Sequence, residues 1–377
     1  MPNILFYKGY TQYHNIGDQL INKSLLKFFR QFSHIVVSDK GMPDYYTEIL
    51  GLQETEKSSS RPLEFHLQLL KCAVQAIFTP QQQVYFLASP PGDQSTTSNV
   101  TGLKYILSGL FYLLLYLLGV RIIKIGFSLG PLSLLGNIGE RFRALFVRHY
   151  YVRDSLSLQY AHRLGISQAK IFPDLCWTFQ PQTAPLPAHD TGLDSRPKIL
   201  LSFRSAVHQG SAADYQQDLL QLIQALVRQN ADQYQFEIVY QVASDAAFSQ
   251  QLYAAIQTDA TIHFHEQQLG LANAHYYQSA AAVLTNRLHV ALLAAKYGCL
   301  PIIVTDINKH VKIKGIFIDA GLQPLLLDTQ QEAQDITRQL SDILVQHQAH
   351  FEQLERAEQQ YSTLSNQTIK DIFITQL

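Results

Sequence analysis

Two hydrophobic signals alternate along the chain. Short continuous apolar runs recur, and between them apolar residues return every three or four positions, so strands and amphipathic helices are expected in turn. Residues 4–7 form the first run. After a polar loop over 8–17, residues 18–32 place Leu20, Ile21, Leu25, Leu26 and Phe29 on one helical face. The same reading predicts strands at 35–37, 83–88, 120–125, 149–152 and 170–172, with helices at 63–78 and 134–146. A further helix starts at Asp154 or Ser155, either of which suits an N-cap, and closes at Gly165. Segments 41–62, 89–99 and 127–132 read as loops or turns.

The second half restarts the pattern. Strands are expected at 198–203, 236–242, 261–264, 281–284 and 300–304. Helices are expected at 215–228, 246–256 and 269–278 and from Leu288 onward, with a loop over 305–315. Residues 330–377, rich in Gln, Glu and Leu, read as two or three helices, one packing back across the first domain. Repeated strand–helix units predict an α/β protein with mostly parallel sheets. Pro181, Pro185, Pro187 and Pro197 mark a linker. The expected organisation is therefore a domain over 1–180, a linker over 181–197, a domain over 198–330 and C-terminal helices over 331–377. Two such Rossmann-like domains would face a cleft between the carboxyl edges of their sheets, where ligands of doubly wound folds bind.

The segment from Leu103 to Leu118 is the most apolar in the chain. At ~1.5 Å per residue it is short for a bilayer span, and it carries Lys104 and Ser108. One reading is a buried helix covering a sheet; the other is a surface resting on a membrane with aromatic rings at headgroup depth.

Composition narrows the function classes. The 377 residues hold 29 Lys plus Arg against 30 Asp plus Glu, so no basic field favours nucleic acid as a partner. Cys72, Cys176 and Cys299 lie far apart, which argues against zinc knuckles and disulfide frameworks and for a reduced cytosolic setting. The start of the sequence has no export signal, so a cytoplasmic enzyme is expected.

Candidate chemistry gathers at the strand-to-helix turn near 285–289. The first amides of a helix are unpartnered and carry the positive end of its dipole, so a phosphate or carboxylate finds donors there, including the amide of Leu288. Arg287 adds a planar fork for such an oxyanion, and His289 adds a proton-transfer group. Arg204, Lys309 and Lys312 extend this cationic wall of the second domain. The first domain supplies Asn15, Gly17 and Asp18, the loop over 90–99, and Ser128 with Gly130. A small anionic donor would suit one wall and a hydroxyl-bearing acceptor the other. Asp18 is as well placed to cap its helix as to orient an acceptor, and Arg153 is as well placed to pair within its own domain. His263 and His265 with Glu266 have no third ligand in view, and no metal is expected.

The ordered set of motifs resembles the polysaccharide pyruvyltransferase family. The matching pieces are Asn15-Ile-Gly-Asp18, Ser128-Leu-Gly-Pro131, Val152-Arg-Asp-Ser-Leu-Ser157 with Leu164-Gly165, Pro173-Asp174, Leu201-Ser-Phe-Arg204, Asn286-Arg-Leu-His289 and Lys309. Two positions depart from the family pattern: Ser89-Pro-Pro-Gly92 stands where a glycine-rich run is frequent, and Asn286 where serine is common.

The resemblance implies a GT-B-like fold of two domains and transfer of pyruvate from phosphoenolpyruvate, a co-substrate, onto two hydroxyls of one sugar as a cyclic ketal. No further cofactor is implied. In that chemistry His289 is the general acid or base, with Asp18 as a second catalytic candidate. Arg204, Arg287, Leu288, Lys309 and Lys312 hold the donor, and Asn15, Gly17, Ser128 and Gly130 lie on the acceptor side. The acceptor is a cell-surface polysaccharide, capsular or secreted, or its polyprenyl-linked precursor. If the segment from Leu103 to Leu118 touches the membrane, it does so peripherally on the cytosolic face. A nucleotide-sugar glycosyltransferase on the same scaffold is the main alternative, and a membrane-associated scaffold without catalysis is the other.

Overall fold

In the computed structural model, the described residues are 3–79, 81–88, 92–181, 196–205, 212–257 and 262–374. Most of the segment expected as linker, residues 182–195, lies outside them, as do residues 89–91 of the acceptor-side loop. The chain divides into two compact units. One comprises residues 1–13, 18–178 and 360–377; the other comprises 14–17 and 179–359.

The first unit begins with β1 (Asn3–Tyr7), α1 (Ile16–Phe29), β2 (His34–Val37), α2 (Asp44–Leu50), α3 (Phe65–Ile77) and β3 (Gln83–Leu87). It continues with β4 (Gly92–Thr96), α4 (Asn99–Leu117), β5 (Arg121–Leu132), α5 (Leu134–Ala144), β6 (Val147–Val152), α6 (Ser155–Arg163) and β7 (Lys170–Ile171). Its strands pair in parallel in the order β2-β1-β3-β5-β6-β7, with β4 alongside β5. This is a doubly wound sheet that reverses direction between β1 and β3. Because both faces are covered, its strands carry unbroken apolar runs: Leu5, Phe6 and Tyr7 are fully buried, as are Ile122 and Ile123.

The second unit holds β8 (Lys198–Ser202), α7 (Ala212–Asn230), β9 (Gln235–Ile238), α8 (Ala246–Ile256), β10 (Ile262–Phe264), β11 (Ala282–Thr285) and α9 (Leu288–Lys296). β12 (Leu300–Thr305), α10 (Val311–Asp319), β13 (Leu326–Asp328) and α11 (Ala333–Val345) follow. The parallel order β10-β9-β8-β11-β12-β13 is that of a dinucleotide-binding Rossmann sheet, reversing between β8 and β11. The last helix, α12 (His347–Ile374), changes unit along its length at residue 360. In the first unit its Phe373 ring packs on Phe29, Phe32 and Tyr85.

Several local expectations need correction. Residues 41–62, read as loop, contain α2 and two short 3-10 turns. Residues 127–132 continue β5 instead of turning, because Phe127 and Leu129 still face the core. Part of the loop over 89–99 is β4, which extends the sheet beside β5. The loop over 305–315 ends in α10, and the helix expected over 269–278 is a 3-10 segment, Ala274–Ser279.

Candidate functional site

In doubly wound sheets, ligands bind at the strand ends where the order reverses. In the second unit this point lies between β8 and β11, and the residues just past those strands are Arg204 and Asn286-Arg287. The Asn286 side chain ties the two ends together. Its Oδ1 accepts from the Arg204 amide at 2.9 Å, while its Nδ2 donates to the Arg204 carbonyl and to the Tyr215 hydroxyl, both at 3.0 Å. Asn286 is fully buried, so its amide acts as a clamp inside the fold.

Two guanidinium groups meet at this clamp. Arg287 donates from Nη2 to Asp245, which closes the 3-10 turn Ala243–Asp245 after β9 and is 5 % exposed. Arg204 donates from Nη2 to His310 Nε2 at 2.7 Å. Arg204 can only donate, so His310 Nε2 is the acceptor, and the proton of the neutral ring sits on Nδ1, which meets Thr305 Oγ1. The Nε atoms of both arginines are buried and have no hydrogen-bond partner among the described residues. Burial and then the neighbouring Arg287 charge lower the Arg204 pKa. Burial raises that of Asp245 beyond what hydrogen bonding and charge from Arg287, and then the Arg204 charge, take back. Two cations and one acid thus share a poorly solvated space, an arrangement that an added anion would relieve.

The start of α9 faces the same turn. Arg287 is its N-cap residue and provides no side-chain cap; its amide donates back to Thr285 Oγ1 at 3.0 Å. The start of α9, with the amide of Leu288 first, therefore has the anion-binding character of a helix N-terminus without a side-chain cap.

His289 is half-buried, and Gly17 in the first turn of α1 lies against it. A Cβ built on Gly17 would collide with the imidazole at Nδ1, so only glycine fits there. The segment 14–17 clusters with the second unit, which is how a residue from the start of the chain comes to abut His289.

The other sequence candidates have local structural roles. Asn15 caps α1, its Oδ1 accepting from the Gly17 amide at 3.0 Å. That removes the capping role considered for Asp18, whose Oδ2 instead accepts from Thr11 Oγ1 at 2.6 Å and the Gln12 amide at 3.2 Å. Lys309, with its side chain 67 % exposed, pairs with Asp306 at 3.2 Å, and Lys312 lies in the first turn of α10 instead of in a loop.

Ser128 departs from its expected acceptor role. It is buried, donates to Asp154 at 2.8 Å and accepts from Arg153 Nε at 2.7 Å, so its hydroxyl is taken up by the framework. Arg153 also pairs with Asp174 at 3.0 Å inside its own unit. Gly130 sits at φ +89° over the Tyr160 ring, which leaves no room for a side chain.

Asp245, His310, Tyr215 and Thr305 were not among the residues singled out from sequence. The only available signal was position: Asp245 follows a predicted strand, Thr305 and His310 fall in the basic loop expected over 305–315, and Tyr215 opens a predicted helix, which is weak without the strand order.

A family model described as polysaccharide pyruvyl transferase matches residues 15–305. No curated protein matches the chain. Among solved structures, it resembles a UDP-N-acetylglucosamine 2-epimerase, described as putative, from Listeria monocytogenes at 12 % identity and TM-score 0.59, covering 98 % of this chain and 95 % of that one. It also resembles the Neisseria meningitidis UDP-GlcNAc 2-epimerase bound to UDP-GlcNAc, at 10 % identity and TM-score 0.56 over 99 % of both chains. A third is Acinetobacter baumannii MurG, at 13 % identity and TM-score 0.51 over 100 % of both. At these identities the likeness establishes the fold alone, two Rossmann-like domains of the GT-B-like class.

Proposed function

Because the chain belongs to the polysaccharide pyruvyl transferase family, we propose that it moves pyruvate from phosphoenolpyruvate onto two hydroxyls of one sugar, forming a cyclic ketal on a cell-surface polysaccharide or its precursor. The observation that supports the donor assignment is the pair of guanidinium groups at Arg204 and Arg287, whose buried Nε atoms lack partners among the described residues, beside the start of α9, which has no side-chain cap. Phosphoenolpyruvate is a compact anion with a phosphate and a carboxylate. Two planar forks and a helix start match those two groups. The amide of Leu288 takes a further oxygen in this reading, and Lys309 and Lys312 add positive charge.

In the proposed reaction the methylene carbon of the donor gains a proton and C2 becomes electron-poor. The first sugar hydroxyl forms a C–O bond to C2. The second closes the ring as the bond from C2 to the phosphate oxygen breaks. One hydroxyl proton ends on the new methyl group and the other leaves with phosphate, so no outside proton is consumed. His289 is the proposed relay, since an imidazole gives and takes protons near neutral pH. Asp18 is the proposed acceptor-orienting group, through the Oδ1 that neither Thr11 nor Gln12 occupies. The cationic side chains offset the charge that develops on phosphate.

The test is thermal unfolding with phosphoenolpyruvate or uridine diphosphate. Saturating phosphoenolpyruvate should stabilise the wild type by about 2–3 kcal/mol, and Arg287→Ala should abolish the shift. Stabilisation by the nucleotide in place of phosphoenolpyruvate would overturn the reading and favour a nucleotide-sugar glycosyltransferase.

A further inference from the structure

The helices α3, α4 and α5 cover one face of the first sheet, and their inward side chains join a single core that includes Phe65, Leu69, Tyr112, Leu115 and Ala144. α4 and α5 lie very close together: a Cβ on Gly102 would meet the backbone of Leu135 and Gly136 at 2.5 Å, and one on Gly109 would strike the Phe142 ring. The inward side of α4 is therefore fixed. Its outward side is apolar as well. Val100, Leu103, Leu107, Leu110, Leu114 and Leu117 alternate in steps of three and four, and each is 44–71 % exposed. Leu134 at the start of α5 and Leu145 just past its end are 74 % and 67 % exposed, and Phe78 just past α3 is 81 % exposed. An apolar face of this extent marks an interaction surface.

Charge identifies the partner. Between Glu64 and Asp154 the sequence has only two acids, Asp93 and Glu140, and Glu140 is fully buried. The outward side chains of the three helices include the exposed cations Lys71, Lys104 and Arg141. A cavity of about 440 Å³ opens beside the C-terminal ends of α4 and α5. Tyr116, Leu145 and Phe146 line its apolar side, and two arginines line it as well: the exposed Arg148, and Arg121, whose Nη1 donates to the Tyr85 hydroxyl at 3.1 Å. This cavity suits a phosphate with its apolar tail alongside. A second copy of the chain is a poorer occupant, because the heptad-like stripe has Lys104 beside it and no acid to pair with it. α4 is long and apolar enough to cross a membrane, yet Tyr112 and Leu115 hold it in the core, so it lies along a surface instead of crossing it.

We propose that the outer face of α3, α4 and α5 rests on an anionic phospholipid bilayer, with α4 in the interfacial plane and Arg121 and Arg148 receiving lipid phosphates. The proposal is independent of the donor assignment.

The test is flotation of the full chain with vesicles of equimolar phosphatidylglycerol and phosphatidylcholine, and with phosphatidylcholine alone, at low and high salt. The chain should float with the anionic vesicles, about tenfold less with the neutral ones, and salt should weaken binding. Leu107→Glu with Leu114→Glu should abolish flotation while the circular dichroism spectrum is unchanged, since both side chains are already exposed. Should that pair fail to fold, Arg121→Gln with Arg148→Gln keeps the apolar face and should lower the anionic preference about tenfold. Failure of the wild type to float, or flotation of either folded double variant equal to that of the wild type, would overturn the proposal. A dimer in sedimentation that the glutamate pair dissociates would overturn it in favour of self-association.

Discussion

In the first unit Lys124 and Arg143 close on Glu140; in the second, Arg204 and Arg287 meet at Asp245. Each group has two cations and one carboxylate, but the surroundings differ. Glu140 Oε1 accepts from Lys124 and from the Tyr150 hydroxyl, both at 2.5 Å, and its Oε2 accepts from Arg143. Gln94 on β4 accepts from both cations, at 2.9 and 2.8 Å, and Arg143 also stacks on the Tyr105 ring. Burial alone would raise the Glu140 pKa, but Arg143, Lys124 and these hydrogen bonds bring it down to about 2. At Asp245 the balance runs the other way, and two guanidinium nitrogens stay unmatched. Equal charge counts thus serve two ends: a closed set ties a helix to a sheet, while an open set leaves capacity for an anion.

Removing the acid from each set is the sharpest way to separate them. Glu140→Gln strands two cations in a dry core and should cost about 3–5 kcal/mol in urea unfolding, with no recovery on adding inorganic phosphate. Asp245→Asn should cost less, about 1–2 kcal/mol, because the Arg287 side chain keeps some contact with solvent and a solution anion can stand in. Phosphate should restore most of that loss, and equal losses with no phosphate effect would break the distinction. The smallest expected effect concerns pH. Burial and then Arg143 pull Lys124 down to about 7, below its value in the unfolded chain, despite Glu140. Above pH 7 the unfolded chain then binds a proton that the folded chain releases, so stability should rise with pH in that window. Relative to Lys124→Met, the wild type should gain about 1 kcal/mol between pH 7 and 8, and a flat difference would remove the strain assigned to Lys124.

The turn from β11 to α9 was legible because its signals are local: an apolar run, a break at Thr285-Asn286, and a helical period from Leu288. Both sheets were legible in outline for the same reason. Asp245 and His310 were not, since their importance depends on which strands lie side by side, and strand order is a long-range property. The closed set in the first unit was equally hidden. Lys124 stands within an apolar strand and Glu140 on a helix, and only their meeting across the core gives either a reason. The apolar segment from Leu103 to Leu118 was read as either core or surface. It is both, because inward glycines and tyrosines and outward leucines share one helix with no polar face to separate them.

Gly17 sets the position of an imidazole by contributing nothing but room. A single methyl at that position would force the His289 ring to move while leaving Arg204 and Arg287 chemically intact, so alanine there would probe the ring's placement as a variable of its own. A residue near the amino terminus thereby sets the room left to a side chain encoded far downstream.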